Sequence, residues 1–525
     1  MLFKRSIGPV GLLFCAVGGI IGSGWLLGPF FAAQIAGPAS ILSWAIGGFM
    51  MIIIALTYAE LGAMLPIAGG TVRYLQFSHG TLASFTIGWI AWLAAAAVAP
   101  IETLALLHYT TNYLPNLMHT VDGVTVLSLS GIAVAAVLMF VMCFLNIMGV
   151  KLLANANNLI VALKLFVPIL TLGILLCMDF HPENFGAIGF APMGLKGILA
   201  ALPSAGVIFS FIGYNPAIQL AAEAKNPQRD VPLAILGALV LCIILYVLLQ
   251  VAFVGALEPE SFSKGWGSLS FTGDAGPFAG ITMALGAVWL TKILYVDAAI
   301  SPYGTGLVFT GATARLSYAL GKNGYFPKFF MKVNKFGVPA RMILLNYVIG
   351  LFLFLPFPTW QGMMSFLVSS LIFAYTVGPL ALMVLRKNLP NQHRPFRVPA
   401  PALVAFLGFY FSNLIVYWTG WSVISKMLIA ILIGLAVLLI FRCTKEGRAI
   451  QLHFKNAWWL LPYLGLLCLF SYLGSFGGGL NIIPFGWDFL VIAVFSYVIY
   501  ILAQRYALET NDEAYLLEHE LKELL

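Results

Sequence analysis

Long apolar runs, cut by short polar or Pro/Gly-rich stretches, recur from residue 8 to residue 504. Wound as helix, a run of about 18 or more apolar residues matches the hydrocarbon core of a bilayer. The pattern predicts fourteen candidate spans: 8–35, 38–64, 82–113, 124–148, 153–177, 196–223, 231–257, 277–320, 339–356, 362–385, 400–419, 422–442, 457–475 and 486–504. An even number returns the chain to the side on which it starts. The stretch from Glu509 to Leu525 reads differently: Thr510 and Glu513 form a capping-box pair, and Leu517, Leu521 and Leu524 repeat at helical spacing. A short, solvated amphipathic helix is expected there.

The expected fold class is therefore an all-α polytopic membrane protein. Composition agrees: the 525 residues are 61% hydrophobic and 9% charged, with mean hydropathy +0.97. Soluble domains average about 45–50% apolar and about 25% charged residues, so a string of soluble domains is excluded. The net charge of +8 does not point to nucleic acid, because the basic residues lie between apolar stretches, where they set membrane orientation. Of the 27 Lys and Arg, all but Lys164, Lys196, Lys264, Lys292 and Lys426 fall in the tails and alternate loops of one side. The positive-inside rule makes that side, and both termini, cytoplasmic. An odd number of spans would scramble this asymmetry.

Cys15, Cys143, Cys177, Cys242, Cys443 and Cys468 are scattered within apolar stretches, and the seven histidines have no paired spacing. No disulfide framework, metal or cofactor is expected. The first apolar stretch lacks a small-residue cleavage site, so no cleavable signal peptide is read.

Two spans carry their own interruption. In the first, Gly18 and Gly19 precede Ile21-Gly22-Ser23-Gly24, and each glycine weakens a helix by roughly 1 kcal/mol relative to Ala. In the sixth, Pro216 follows Phe209-Ser210-Phe211-Ile212-Gly213-Tyr214-Asn215; it lacks an N–H and disfavours helix at Asn215. Non-helical backbone at membrane depth is tolerated where it lines a cavity or is buried in protein. Breaks five spans apart are the pattern of inverted five-helix repeats, in which discontinuous helices meet at a substrate site. Half-helix N-termini offer amides to a carboxylate, and half-helix C-termini suit an ammonium. An α-amino acid carries both groups. The alternative for each break is a glycine packing face.

An ionised side chain at mid-bilayer costs about 2.5–3.5 kcal/mol, so each one is a functional candidate. Glu60, Glu102, Lys164, Lys292 and Asp297 stand out. Glu60 lies close to the cytoplasmic end of its span, and a structural role is expected: it reaches the interface or pairs with a loop cation. Lys164 lies roughly 20 Å along the fifth helix from Lys151, at about 1.5 Å per residue. Desolvation penalises a charged amine, so a lysine at that depth can gain and lose a proton and thereby couple transport to protons; the alternative is a charged lysine held by carbonyls as a tie. Glu102 and Asp297 must face the bundle interior, to bind a substrate ammonium, carry protons or pair with Lys292. The spacing of five between Lys292 and Asp297 is poor for a helical ion pair.

These residues carry a family likeness. The Gly22-Ser23-Gly24 break, the stretch Tyr58 to Gly70, and Ser210-Phe211-Ile212-Gly213 followed by Glu223 to Pro232 resemble amino acid–polyamine–organocation permeases, as does Ala314-Arg315 through Gly324 to Pro327. The bacterial aspartate–proton symporter group is similar in Asp297 to Pro302, Leu355 to Trp360, Ala457-Trp458-Trp459 and Phe470 to Gly477. The resemblance implies a five-plus-five inverted-repeat core, taken as residues 1–390, in a bacterial inner membrane; the apolar pattern adds four further helices over 391–504 and an acidic cytoplasmic tail over 505–525. It implies that Ile20, Gly22, Ser23 and Gly24 hold the substrate carboxylate and part of the ammonium. Phe209 would be a stacking gate, and Ser210 and Ile212 would offer carbonyls. Lys164 falls where proton-coupled members carry a lysine in place of a sodium site. Lys292 departs from the family pattern, though a cation there would suit a second substrate carboxylate.

The expected function is a proton-coupled secondary transporter of amino acids, with aspartate or glutamate as candidates. Its expected partners are the amino acid, protons and the lipid bilayer. An exchanger, or a carrier of neutral or cationic amino acids, is the alternative. An intramembrane enzyme would need an HExxH or GxSxG-type motif and an ATP-driven pump a GxxxxGK[ST] loop, none of which is present. A channel is the remote alternative on composition alone, but it does not call for two broken helices five spans apart.

Overall fold

Helix forms over each of the fourteen apolar stretches, and in the first and sixth it stops near the middle. A computed structural model describes residues 7–67, 70–111, 113–121, 124–148, 150–271 and 276–509. The first stretch is α1 (Pro9–Ile20) and α2 (Ser23–Ala36), parted at Ile21-Gly22, where the backbone leaves helical geometry. α3 (Ser40–Met64) and α4 (Gly70–Thr110) follow. α4 is broken at Gly80, whose φ of 76° is open to glycine, so the apolar span starts just after it.

A hairpin of β1 (Met118–Val121) and β2 (Val124–Leu127) precedes α5 (Leu129–Ile147) and α6 (Val150–Met178). The sixth stretch is again broken: α7 (Gly194–Ser204), a 3₁₀ turn over Phe209–Tyr214, and the short α8 (Asn215–Gln219), bent by 42° in all. Then come α9 (Pro227–Gly255), α10 (Pro277–Ala284), α11 (Val288–Lys322), α12 (Ala340–Leu353), α13 (Trp360–Tyr375) and α14 (Val377–Asn388). The last are α15 (Pro401–Trp418), α16 (Trp421–Arg442), α17 (Phe454–Ala457), α18 (Leu460–Leu473) and α19 (Trp487–Arg505).

Three expectations shift. The stretch 277–320 is two helices rather than one, and 124–148 opens as strand. Among the described residues, ten helical segments are long and apolar enough to cross a membrane, or eleven if the bent pair is one span. That is fewer than fourteen because α1 and α12 are short, α2 runs on into α3, and α11 is diluted by Gly, Ser, Thr and charged residues. The expected tail helix lies in residues 510–525, outside the described residues.

α4 is the central post, with α11 and α13 along it, while α1 and α3 pack on α9; α15 to α19 stand outside, α15 against α3 and α19. Trp25, Trp44, Tyr58, Tyr246 and Tyr375 are fully buried, whereas Phe140, Phe166, Leu439 and Ile440 are exposed. Large apolar side chains facing outward suit a lipid surround rather than water.

At the Lys/Arg-rich end, polar ties hold the helices together. Glu60, at 0% side-chain exposure, takes a two-pronged ion pair from Arg386 at 2.7 and 2.6 Å and the Val398 amide at 2.7 Å. Arg394 adds a longer contact at 3.7 Å. This bears on the structural role expected of Glu60, and the cation proves to be the last turn of α14. Ile7 pairs with the chain after α8, through Ile7 N–H to the Glu223 carbonyl at 3.0 Å and Lys225 N–H to the Ile7 carbonyl at 2.8 Å. The Glu223 carboxylate meets Arg315 of α11 at 3.0 Å.

Removing one partner of a buried pair leaves the other uncompensated, at a cost of about 3–5 kcal/mol. Glu60→Ala is therefore expected to lower the melting temperature of the detergent-purified protein by well over the loss from Glu183→Ala, an exposed loop carboxylate. Equal melting temperatures for the two variants would contradict the tie.

Candidate functional site

An α-helix leaves its last four carbonyls and first four amides without helical partners. At the break between α1 and α2 those groups are buried, so each needs an acceptor or donor from elsewhere. The Gly18 carbonyl receives the Lys164 ammonium of α6 at 2.8 Å. The same Nζ donates to Thr305 Oγ1 of α11 at 2.6 Å, and that hydroxyl lies 3.1 Å from the Gly18 and Ile21 carbonyls, to one of which it donates. The Ile20 carbonyl takes the Tyr246 hydroxyl of α9 at 3.2 Å. Two carbonyls and a hydroxyl are a donor set for a small cation, and the lysine amine occupies it.

On the other side of the break, Ser23 N–H donates to Glu102 Oε2 of α4 at 2.8 Å, and Ser23 Oγ accepts from Trp360 Nε1 of α13 at 3.1 Å. Lys164 and Glu102 are each 1% exposed. The lysine sits at the carbonyl end of α1 and the carboxylate at the amide end of α2, which is the arrangement the two helix dipoles favour.

The second break packs directly onto the first. A side-chain carbon on Gly213 would overlap the Gly19 backbone, and one on Gly24 would overlap the Ser210 hydroxyl. Ser210 Oγ donates to the Gly206 carbonyl at 2.8 Å, and the Ile212 carbonyl receives the Tyr375 hydroxyl at 3.0 Å. Between the breaks lies a small cavity, with room for about one water molecule, lined by Ile20, Glu102, Phe209, Ile212, Thr305 and Phe309, among others. Phe209 stands edge-on to Trp360 at 5.9 Å, and Phe31 stacks on the same indole at 5.6 Å. This aromatic group closes the side away from the basic end.

Most of the residues expected at the site are thus brought together: Ile20, Gly22, Ser23, Gly24, Glu102, Lys164, Phe209, Ser210 and Ile212. Asp297 is close by. It is 2% exposed, the Trp25 indole is turned toward it, and neither carboxylate oxygen closes a hydrogen bond. Lys292 is not at the site. It is exposed, on the face of α11 that carries the exposed Trp289 and Val296, where a long amine stem on an apolar surface reaches for the interface. The pairing of Lys292 with Glu102 or Asp297 is therefore absent.

Sequence reasoning passed over Thr305, Tyr246, Tyr375 and, as a site residue, Trp360. Thr305 had a usable signal: Asp297, Ser301 and Thr305 recur every fourth residue and so share one helix face. Among the described residues no cluster of three His, Cys, Asp or Glu is placed to hold a metal.

A family model described as amino acid permease matches residues 7–437. The chain is 39% identical over 514 residues to the glutamate/serine transporter AimA of Bacillus subtilis, covering 97% of this chain and 95% of that protein. It is 36% identical over 505 residues to the aspartate-proton symporter of the same organism, covering 96% of each. It is 27% identical over 462 residues to the branched-chain amino acid permease BcaP, covering 83% of this chain and 93% of that one.

The contact between breaks leaves no room for a methyl group, and overpacking costs about 1–3 kcal/mol. Gly213→Ala is expected to lower the melting temperature and abolish ligand binding, whereas Gly173→Ala, with nothing within 4 Å of the added carbon, is expected to leave both unchanged. Wild-type stability and binding in Gly213→Ala would show that the close approach is dispensable.

Proposed function

The chain belongs to the amino acid permease family, and from that premise we propose that it is a proton-coupled secondary transporter that accumulates amino acids, acidic ones included, by alternating access. The observation that carries the proton reading is the buried Lys164 amine, bound to the Gly18 carbonyl and to Thr305 at the break between α1 and α2. An amine that loses its proton loses the charge that strengthens its hold on a backbone carbonyl and on the hydroxyl that bridges to Ile21. Protonation then bears directly on the segment that would hold the substrate, and two linked equilibria of that kind are what symport requires.

Asp297 and Ser301 support the same reading. Both are buried, on the α11 face that leads to Thr305, and both carry polar atoms without hydrogen-bond partners. A track of such groups, one helical turn apart and bridged by water, is a route for protons between Lys164 and the end of the bundle away from the basic residues. In this reading α1 to α14 form two inverted repeats of five spans, α15 to α19 supply four further spans, and both termini are cytoplasmic in a bacterial inner membrane.

The acidic substrate rests on the two relatives named for glutamate/serine and aspartate-proton transport. Because the first of these also carries serine in its name, a small polar amino acid is the second reading.

Uptake into proteoliposomes with an imposed proton gradient tests the assignment. Labelled aspartate, glutamate or serine is expected to accumulate above the level set by equilibration; strong arginine uptake without aspartate uptake would sink the acidic reading. Lys164→Ala is expected to abolish proton-driven accumulation while leaving the protein monodisperse. If that variant still concentrates substrate with unchanged pH dependence, Lys164 is not the coupling site.

A further inference from the structure

Glu102 occupies a position that a substrate would be expected to need. The first amide of α2, a 14-residue helix, is an anion site by geometry and dipole, and here its Ser23 N–H is taken by Glu102 Oε2 at 2.8 Å. The second oxygen, Oε1, has no hydrogen-bond partner although the residue is 1% exposed. It is pressed against the backbone of the break, so close that a side-chain carbon on Gly22 would overlap it. A buried carboxylate with one satisfied and one orphaned oxygen is poorly paid for as a purely structural tie.

A free α-carboxylate and the Glu102 carboxylate cannot both accept the same amide hydrogen. We propose that Glu102 is an internal surrogate for the substrate carboxylate. It caps α2 while the site is empty and moves off the Ser23 amide when an amino acid binds, and its freed carboxylate then receives the substrate's ammonium. The inference deepens the reading of the chain as an amino acid transporter and rests on it. The amide has an acceptor in both states, so no buried donor is stranded during the exchange. Lys164 of α6 and Tyr246 of α9 face Glu102 electrostatically, and the α-carboxylate that enters brings its own ammonium, so the exchange itself adds no net charge.

The exchange sets the ligand class. A molecule with both ammonium and carboxylate on one carbon repays the displacement of Glu102, whereas a carboxylate alone does not. Calorimetric titration of the purified full-length protein compares aspartate with succinate and serine with 3-hydroxypropionate. Wild type is expected to bind the amino acid and barely the des-amino acid. In Glu102→Ala the amide stands open, and the des-amino acid is expected to bind on the order of tenfold more tightly than to wild type, while the amino acid binds more weakly. Glu102→Gln, which fills the same space without the charge, is expected to move both ligands in the same directions. Des-amino acids that bind no more tightly to either variant than to wild type would overturn the proposal.

Wild-type protein carrying ¹³C-carboxyl glutamate gives a second measurement that needs no variant. Amino acid addition is expected to shift a buried glutamate carboxylate band in the infrared difference spectrum, and an unshifted band would overturn the exchange. Failure of wild type to bind any amino acid is a different result, and it would overturn the transporter reading itself.

Discussion

A helix that ends inside an apolar bundle leaves amides and carbonyls that hydrocarbon cannot satisfy, and the rest of the structure is arranged around that constraint. Its partners come from separate helices: Lys164 from α6, Thr305 from α11, Tyr246 from α9, Glu102 from α4 and Trp360 from α13. One short segment, Gly18 to Ser23, therefore fixes the mutual position of five helices. The tight approach of Gly19 to Gly213 adds the second break to the same hub. Were the first helix continuous, Lys164, Thr305, Tyr246 and Glu102 would have no backbone partner there, and each would be a cost without return.

The charges follow the polarity of the break. The amine meets carbonyls where α1 ends, and the carboxylate meets an amide where α2 begins. A zwitterionic amino acid presents the same two charges with the same preference. Any change at Lys164 is felt at Gly18 and, through the Thr305 hydroxyl, at Ile21; any change at Glu102 is felt at Ser23. In the proposed transport cycle, proton and substrate would act on neighbouring peptide groups, and their coupling would need no long pathway. The ties at the basic end, Glu60 with Arg386 and Glu223 with Arg315, and the aromatic group of Phe31, Trp360 and Phe209 lie on opposite sides of that segment.

Much of this was legible in the residues alone. Gly18, Gly19 and Gly22 to Gly24 in one span and Pro216 in another marked the breaks, because Gly and Pro act on the backbone locally, whatever surrounds them. The depth of Lys164 followed from counting helical rise, and Glu102 stood out as an ionisable residue within a span. Their partners were not legible: threonine and tyrosine are ordinary residues of membrane helices, and nothing in the chain near Thr305 or Tyr246 says which carbonyl they meet. Lys292 shows the limit from the other side. Its depth resembled that of Asp297, but the helix phase turns it to the outer face beside Trp289. The hairpin before α5 and the turn between α10 and α11 were hidden for a similar reason, since apolar composition alone does not distinguish strand or turn from helix over a few residues.

The central claim is that the amine at the α1–α2 break links proton movement to amino acid movement. It is tested most directly by following lumenal pH with a trapped dye in proteoliposomes, with no pH gradient at the start and the membrane potential clamped by potassium and valinomycin. Addition of external aspartate or glutamate is predicted to acidify the lumen in step with uptake of the labelled amino acid. Uptake of the amino acid with no acidification would contradict the account.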